Sequence, residues 1–249
     1  MAQRCLSWIT AFVLGASLVA GSSAAGQFED GLAAQKRGDY VTAVQLWKPL
    51  AEKGNAVAQY HLAVMYADAH GVPRDAAAAL KWYRHAAGGG HAPAQLELAR
   101  IYDQGMGVPR QYTVAMKWYR KAAQQGDPTA QLTLALIYDE GRDVPHNDSQ
   151  ALKWYGLAAE QGVAVAQRNL GRMYAEGRGV PQDRIEAYKW LSLAATAGQS
   201  DAAKDREAVS AKMTPEQRAR AKKLAADWTL AKAQEKAADC NGEQREGCD

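Results

Sequence analysis

The chain has 249 residues and a formal charge of +3 at neutral pH, from 30 Lys and Arg against 27 Asp and Glu. So small a charge gives no reason to expect nucleic acid or an anionic surface as the partner. Aromatic residues make up 8% of the chain, and most occupy positions that predict packing, so a base-stacking surface is not expected either.

Residues 1–25 have the composition of a secretory signal peptide. Arg4 precedes an apolar run from about Leu6 to Ala20, and small residues then suit cleavage after Ala25. The run is too short to span a bilayer as a helix, and no later stretch is apolar enough to do so. We therefore expect a soluble protein in the periplasm or outside the cell, with no stable membrane insertion.

Residues 26–54 predict a degenerate opening unit of two helices. Ala43, Trp47 and Leu50 are spaced by four and three residues, as on one face of an α-helix. A short turn at Gly38 precedes that helix. This unit resembles a plain tetratricopeptide hairpin.

Residues 55–198 repeat one pattern four times with a period of 36 residues. Each copy carries one tryptophan in register: Trp82, Trp118, Trp154 and Trp190. Apolar residues at i, i+3, i+4 and i+7 around each tryptophan predict a helix, called helix B here. The upstream pattern Ala-Gln-x-x-Leu-x-x-x-Tyr predicts a second helix, helix A.

A Val-Pro turn joins helix A to helix B in every copy. Proline fixes its own φ and prevents helix A from continuing. The glycine before it, Gly71, Gly107 or Gly179, is expected to close helix A in the left-handed conformation. The third copy has Asp143 instead, which tolerates that conformation less well, so we expect this turn to be the least stable.

One helical hairpin of this size cannot bury its own apolar face, whereas stacked copies bury a continuous one. The pattern therefore predicts an all-α solenoid. Recurring alanines let the helices approach closely, and one tryptophan per copy is expected to fill the space between them.

Residues 199–239 predict C-terminal capping helices, followed by a polar tail at 240–249. Thr214 is expected to cap the last helix, with Pro215 at its first position and Gln217 completing the cap. Trp228 and neighbouring alanines form an apolar stripe on that helix. A terminal helix of this kind hides the last repeat of a solenoid from solvent.

Two cysteines, Cys240 and Cys248, lie in the tail. In an oxidising compartment we expect them to form a disulfide that closes a small loop. The alternative is half of a metal site, although no histidine follows in the tail.

The remaining patterns give weak grounds for chemistry. The five histidines lack metal-ligand spacing, and no serine or cysteine has the context of a known nucleophile. We therefore predict no enzyme activity, no metal and no cofactor. A lysine column precedes the tryptophans: Lys81, Lys117, Lys153 and Lys189. It is interpreted as a solvated helix face whose stems cover apolar neighbours, with a polyanion site as the alternative.

The pattern Ala-Gln-x-x-Leu-Ala-x-x-Tyr, Gly-x-Gly-Val-Pro and Ala-x-x-Trp-Tyr-x-x-Ala-Ala resembles the Sel-1-like repeat, a relative of the tetratricopeptide repeat. The second copy, from Ala94 to Ala123, follows it most fully. The resemblance implies a right-handed superhelical solenoid, with A helices lining a concave groove that binds proteins or peptides. By orientation with tetratricopeptide proteins, the groove residues are Tyr60, Val64, Leu96, Arg100, Leu132, Leu136, Arg168 and Arg172.

The resemblance and the signal peptide together predict an exported bacterial adaptor, expected to be monomeric, that binds a protein or peptide segment. Arg168 and Arg172 lie four residues apart and are expected to bind a carboxylate or a C-terminus. Regulation of envelope signalling or secretion is one role of such proteins, and interaction with a host is an alternative. A further alternative is binding of peptidoglycan or a β-lactam, or weak β-lactamase activity, as in a cysteine-rich branch of the family. Residues 26–239 contain no cysteine and so depart from that branch.

Overall fold

A computed structural model of the protein describes residues 23–243, with side chains placed as far as residue 238. Within this part of the chain there are twelve α-helices and no strand. The helices are α1 (Ala24–Lys36), α2 (Tyr40–Glu52), α3 (Ala56–Asp68), α4 (Ala76–Gly88), α5 (Ala92–Gln104), α6 (Tyr112–Gln124), α7 (Pro128–Glu140), α8 (Asp148–Glu160), α9 (Ala164–Glu176), α10 (Arg184–Thr196), α11 (Ser200–Ser210) and α12 (Pro215–Glu243).

The helices form a single stack in which A and B helices alternate. α3, α5, α7 and α9 are the A helices of repeats 1 to 4, and α4, α6, α8 and α10 are the corresponding B helices. Each helix from α1 to α9 packs against the next one along the chain. The predicted all-α solenoid is confirmed. None of the described helices is both long and apolar enough to span a bilayer.

Small residues of the A helices and large side chains of the B helices fill the core. The alanine in the first turn of each A helix is fully buried, at Ala58, Ala94, Ala130 and Ala166. The residue after the tryptophan in helix B is buried in every repeat: Tyr83, Tyr119 and Tyr155, with Leu191 in the fourth. Close helix approach at the alanines and large side chains between them give the stack its packing.

The tryptophans are less uniform than predicted. Trp154 and Trp190 are buried, as expected, but Trp82 and Trp118 are only half-buried. The prediction that one tryptophan per repeat fills the space between helices is therefore wrong for the first two repeats. Trp190 is covered because Trp228 of α12 packs edge-on against it, with ring centroids 6.2 Å apart.

The recurring glutamine of helix A connects each repeat to the one before it. Gln59, Gln95, Gln131 and Gln167 are all buried. The Gln95 side-chain amide donates to the carbonyl of Ala87 at 3.1 Å, and the other three make the equivalent bond. These carbonyls lie in the last turn of the preceding helix, and each also accepts a backbone hydrogen bond from the glycine three residues on, at 2.9–3.2 Å. The glutamine therefore adds a second, buried hydrogen bond that joins one repeat to the next.

The residue that closes each A helix lies two positions before the predicted glycine. It has positive φ in all four repeats: Ala69, Gly105, Gly141 and Gly177. The predicted glycines also have positive φ, as does Asp143 at 58°. They lie where the turn touches the preceding unit, since a Cβ on Gly71 would stand 2.5 Å from the Tyr40 carbonyl. At Gly71, glycine is therefore needed for close approach as well as for conformation.

The C-terminal helices cover the last repeat. The Thr214 hydroxyl accepts from the Gln217 amide at 3.3 Å and the Gln217 side chain accepts from the Thr214 amide at 3.0 Å, so the predicted cap is confirmed. α12 packs on α10 and continues to Glu243, four residues into the predicted tail. The side chains of Cys240 and Cys248, like residues 1–22 of the predicted signal peptide, lie outside the described part of the chain.

Candidate functional site

The predicted groove residues form two columns, each with one member per repeat. The first column is Tyr60, Leu96, Leu132 and Arg168, and the second is Val64, Arg100, Leu136 and Arg172. Side chains from these columns line cavities between successive A helices at both ends of the array. In the middle of the array the three leucines are partly buried and pack on the core. We call this surface the A-helix face.

In the second repeat an ion-paired network closes the space beneath the A-helix face. Asp103 ends α5, and its carboxylate accepts a hydrogen bond from the Tyr119 hydroxyl of α6 at 3.3 Å. Arg142, from the next repeat, approaches the same carboxylate at 3.5 Å, and Arg110 at 3.6 Å. The Asp103 side chain is 9% exposed, so these partners nearly enclose it.

The third repeat builds the same network 36 residues later. The Tyr155 hydroxyl donates to Asp139 at 3.0 Å, and Arg178 donates to the same carboxylate. Arg178 also reaches Asp148, at the start of α8, at 2.6 Å. The hydrogen bond to Asp139 raises the pKa of Arg178 further. Burial raises the pKa of Tyr155 well above its usual value, and the Asp139 charge adds to the effect. Both phenols therefore serve as donors to a carboxylate.

The first repeat lacks the network and contains an open cavity of about 680 Å³. Alanine, Ala67, stands where the later repeats have aspartate, and Met106 stands where they have arginine. The walls are mostly apolar and include Val64, Leu80 and Ile101. The missing carboxylate and guanidinium account for the open space.

Two tyrosines present their rings to this cavity. Tyr60 and Tyr83 lie with ring centroids 6.0 Å apart, and neither hydroxyl has a hydrogen-bond partner among the described residues. Burial raises the pKa of both phenols, and the nearby carboxylates of Asp68 and Glu97 raise them further. Both phenols are therefore neutral, with a free donor each at the cavity.

Arg74 also lines the cavity, and it lacks the local hydrogen bond that Arg110 and Gln182 make at the equivalent positions of repeats 2 and 4. Arg110 and Gln182 use their side chains to donate to the carbonyl seven residues earlier, at 2.8 Å and 2.7 Å. Arg74 makes no such bond and no ion pair within the described part of the chain. Its guanidinium therefore remains available at the rim.

The fourth repeat has an open cavity at the equivalent position, smaller and more polar, of about 220 Å³. Ala175 again replaces the aspartate, and Leu191 replaces the tyrosine. Arg172, Arg184 and Lys212 supply positive charge to its walls. Repeats 1 and 4 therefore have an open cavity where repeats 2 and 3 have the Asp–Tyr–Arg network.

Arg168 is held within the protein. Its Nε donates to Asp205 of α11 at 2.7 Å, and its Nη1 lies 3.5 Å from Asp201. We predicted that Arg168 and Arg172 together bind a carboxylate of the partner. Asp201 and Asp205 of the protein itself compete with such a carboxylate for Arg168. The signal that could have revealed this is the acidic spacing of α11, which places two carboxylates one turn apart.

The lysine column lies over the tryptophans. Lys81, Lys153 and Lys189 place Nζ within 4.3–5.6 Å of the neighbouring indole centroids, as cation–π geometry requires. In the second repeat Lys121 takes this place over Trp118, at 4.7 Å. This agrees with a packing and solvation role for the column.

Histidines occupy aromatic contacts at the N-terminal end. His61 lies 4.6 Å from the Trp47 ring, and His91 lies 4.8 Å from Tyr60 and caps α5 through Nδ1. Burial lowers the pKa of both imidazoles. Across residues 23–238, no group of three or more His, Cys, Asp and Glu side chains is arranged to hold a metal.

The Asp–Tyr–Arg network escaped sequence analysis, although its period is visible. Asp103 and Asp139 are 36 residues apart, as are Tyr119 and Tyr155, and Arg142 and Arg178. Its members come from three helices or turns in two repeats, so no single helical face contains them. Comparing the copies column by column would have singled out Ala67 and Met106 as departures.

The profile of the Sel1 repeat matches five consecutive segments of the chain, at residues 25–55, 56–91, 92–127, 128–163 and 164–199. The first of these segments is the opening unit, which the sequence analysis compared with a plain tetratricopeptide hairpin because of its short turn. A crystal structure of a Sel1 repeat protein from Oxalobacter formigenes is 35% identical, with a TM-score of 0.68 over 73% of this chain. This chain covers 54% of that protein, about half of its length.

Two further solved structures are more distant. A protective antigen of uropathogenic Escherichia coli with the same repeat fold is 23% identical, with a TM-score of 0.44, covering 89% of this chain and 64% of that one. An immunity protein from Pseudomonas aeruginosa is 22% identical, with a TM-score of 0.44, covering 85% and 81%. No curated protein is significantly similar in sequence. Sel1 repeat proteins are generally scaffolds for protein–protein interaction. The repeats, their register and the similarity to the Oxalobacter structure show that this chain belongs to the Sel1 repeat family.

Proposed function

We propose that this protein is an exported, non-enzymatic adaptor that binds a protein or peptide segment on its A-helix face. The observation that carries the proposal is the open apolar cavity in the first repeat, where Tyr60 and Val64 of the predicted groove lie. Apolar cavities with a few polar groups are the usual form of binding sites. The middle repeats use their own side chains to close the same position, so an unfilled copy is available to a partner.

Site-specific photo-crosslinking in the native cell tests the binding face. A photoreactive residue is placed at Val64 in the cavity, and at Lys117 on exposed helix B as a matched control. We expect a discrete protein adduct from position 64 and none from position 117. Adducts from position 117 alone, or from neither position, would contradict the proposal.

Export is tested separately by cell fractionation and mass measurement of the mature N-terminus. We expect a periplasmic or secreted protein that begins at Gly26, as the small residues before it suggest. A protein that retains Met1 in the cytoplasm would overturn this part of the proposal and leave the binding face untouched.

A further inference from the structure

We propose that the partner is an extended acidic segment anchored at two points, with a large apolar side chain in the first-repeat cavity and acidic side chains at the fourth-repeat cavity. This inference rests on the proposed function and specifies the chemistry of the partner. The two cavities occupy the same place in their repeats, 108 residues apart, and differ in what lines them.

The first-repeat cavity fits an apolar side chain. Its volume of about 680 Å³ exceeds that of any single side chain, and Val64, Ile101 and Met106 form much of its wall. The charged groups of its lining nearly balance, since Asp68 and Arg74 carry opposite charges and Glu97 pairs with Arg100 at 3.2 Å on its own helix. The cavity therefore selects for apolar surface rather than for charge.

The free hydroxyls of Tyr60 and Tyr83 add polar contacts for a backbone. A segment in extended conformation leaves its own amide and carbonyl groups unpaired, and each needs a partner once water is excluded. The two phenols can donate to carbonyls of such a segment beside its apolar side chain. Tyr119 and Tyr155 cannot, because their hydroxyls already donate to Asp103 and Asp139.

The fourth-repeat cavity carries unbalanced positive charge. Its carboxylates have partners in the protein: Asp205 binds Arg168 at 2.7 Å, and Glu176 lies 3.8 Å from Arg172. Arg184 and Lys212 make no ion pair within the described part of the chain. Two cations without counter-charges beside a third favour acidic side chains from the partner.

The distance between the cavities sets the spacing of the two anchors. Each A helix packs on the B helices before and after it, and packed helices lie on the order of 10 Å apart, so three repeat steps along the A helices cover at least roughly 30 Å. An extended chain advances about 3.3 Å per residue, which gives about ten residues or more between the anchors. The middle repeats are closed by their networks, so the intervening residues need only follow the surface.

Selection from a random library of displayed linear peptides, about 20 residues long, tests this partner chemistry with the purified full chain. We expect enriched peptides to carry one Leu, Met or Phe and a cluster of Asp or Glu about ten residues or more away. Enrichment of basic peptides, or of apolar peptides without acidic residues, would overturn the inference.

Variants assign each anchor to its cavity. Ala67→Asp with Met106→Arg supplies the residues that close repeats 2 and 3, and should weaken the selected peptides roughly tenfold or more. Arg184→Glu with Lys212→Glu should weaken peptide binding to a similar degree. Peptide binding to the unchanged protein should fall strongly with salt, and this variant should lose that dependence. Lys222→Glu with Lys223→Glu makes the same charge change at exposed positions of α12 and should leave binding unchanged.

The outcomes separate this inference from the proposed function. If the Ala67→Asp, Met106→Arg variant binds the peptides more weakly and the Arg184→Glu, Lys212→Glu variant binds them normally, the two-anchor inference is wrong. Binding at the A-helix face would still stand. Peptides indifferent to both pairs, or no enriched peptides, would overturn both. Met106→Arg alone, at a side chain in an exposed turn, repeats the first test in case the double variant does not fold.

Discussion

The middle and the ends of this array solve the same packing problem differently. Repeats 2 and 3 place an aspartate at the end of helix A and close the adjoining space with a tyrosine and an arginine. Repeats 1 and 4 have Ala67 and Ala175 at that position, and the space stays open. The helices are common to all four repeats, so a few side-chain columns, those of the aspartate, the tyrosine and the arginine, distinguish the repeats with the network from those without it.

Some sequence columns are the same in all four repeats, and others differ from one repeat to the next. Columns that keep the helices together, such as the buried glutamines, are the same in every repeat because every A helix must join the helix before it. Columns at the A-helix face change from one repeat to the next. Uniform columns therefore indicate folding, and interrupted columns indicate where the protein can bind other molecules.

Removing a network aspartate should have the largest effect. Asp139→Ala would remove the carboxylate that accepts from the Tyr155 hydroxyl and leave Arg178 with less counter-charge. We expect a loss of about 2–3 kcal/mol in the free energy of unfolding, measured by urea denaturation. Glu140→Ala removes the neighbouring exposed carboxylate, which has no ion pair within the described residues, and should change little. Equal losses from both variants would argue against the network.

A matched pair of hydroxyl deletions sharpens the comparison. Tyr155→Phe removes a donor to a carboxylate and should cost about 1.5 kcal/mol in unfolding free energy. Tyr83→Phe removes a hydroxyl with no partner among the described residues and should change that free energy by less than about 0.5 kcal/mol. A larger loss from Tyr83→Phe than from Tyr155→Phe would contradict the interpretation that the Tyr83 hydroxyl has no partner in the folded protein.

The first repeat also differs at the end of its A helix. Ala69 has φ 59°, where the other repeats have glycine. Ala69→Gly should raise the unfolding free energy by up to about 1 kcal/mol, because the left-handed conformation costs a Cβ-bearing residue roughly that much. Gly141→Ala is the reverse change in a middle repeat and should lower it. Urea denaturation measures both, and a destabilising Ala69→Gly would contradict the interpretation.

Acidification should weaken the N-terminal end slightly and leave the rest of the array unaffected. Burial lowers the pKa of His61 and His91 from the usual 6.5, so the folded state favours the neutral rings. Their stabilisation is complete above pH 6.5 and is lost as the pH falls through the lowered values. Amide hydrogen exchange, corrected for the intrinsic rate at each pH, tests this. Protection in α3 to α5 should fall between pH 7 and pH 5, whereas protection in α7 to α9 should stay the same.

His91→Asn provides the control for this pH effect. Asparagine keeps a side-chain acceptor for the Ala94 amide, which His91 Nδ1 now provides at 3.3 Å, and does not titrate. The pH dependence in α5 should shrink in this variant. An unchanged pH dependence would assign the effect to another group.

The sequence predicted the fold because its evidence is local and repeated. Helix periodicity, the Val-Pro turns and the Thr214 cap each depend on residues close together in the chain, and four copies confirmed one another. The burial of Trp82 and Trp118 was overestimated because exposure depends on what covers a helix from outside. Trp190, for example, is covered by Trp228 of α12, which lies far away in the sequence.

The site was predicted only in part, for a related reason. The A-helix face could be located from the repeat register, and Tyr60 and Val64 do line an open cavity. Whether a position is open depends on side chains from two repeats, as with Asp103, Tyr119 and Arg142, and on terminal helices. The contact between Arg168 and Asp205 of α11 is of this kind.

A crystal structure of the Ala67→Asp, Met106→Arg variant would test most directly whether the missing network is what leaves the first repeat open. We expect the new carboxylate to accept a hydrogen bond from the Tyr83 hydroxyl and to pair with the new guanidinium, so that the network of repeats 2 and 3 fills the cavity of about 680 Å³. A cavity that remains open, with both introduced side chains turned to solvent, would contradict it.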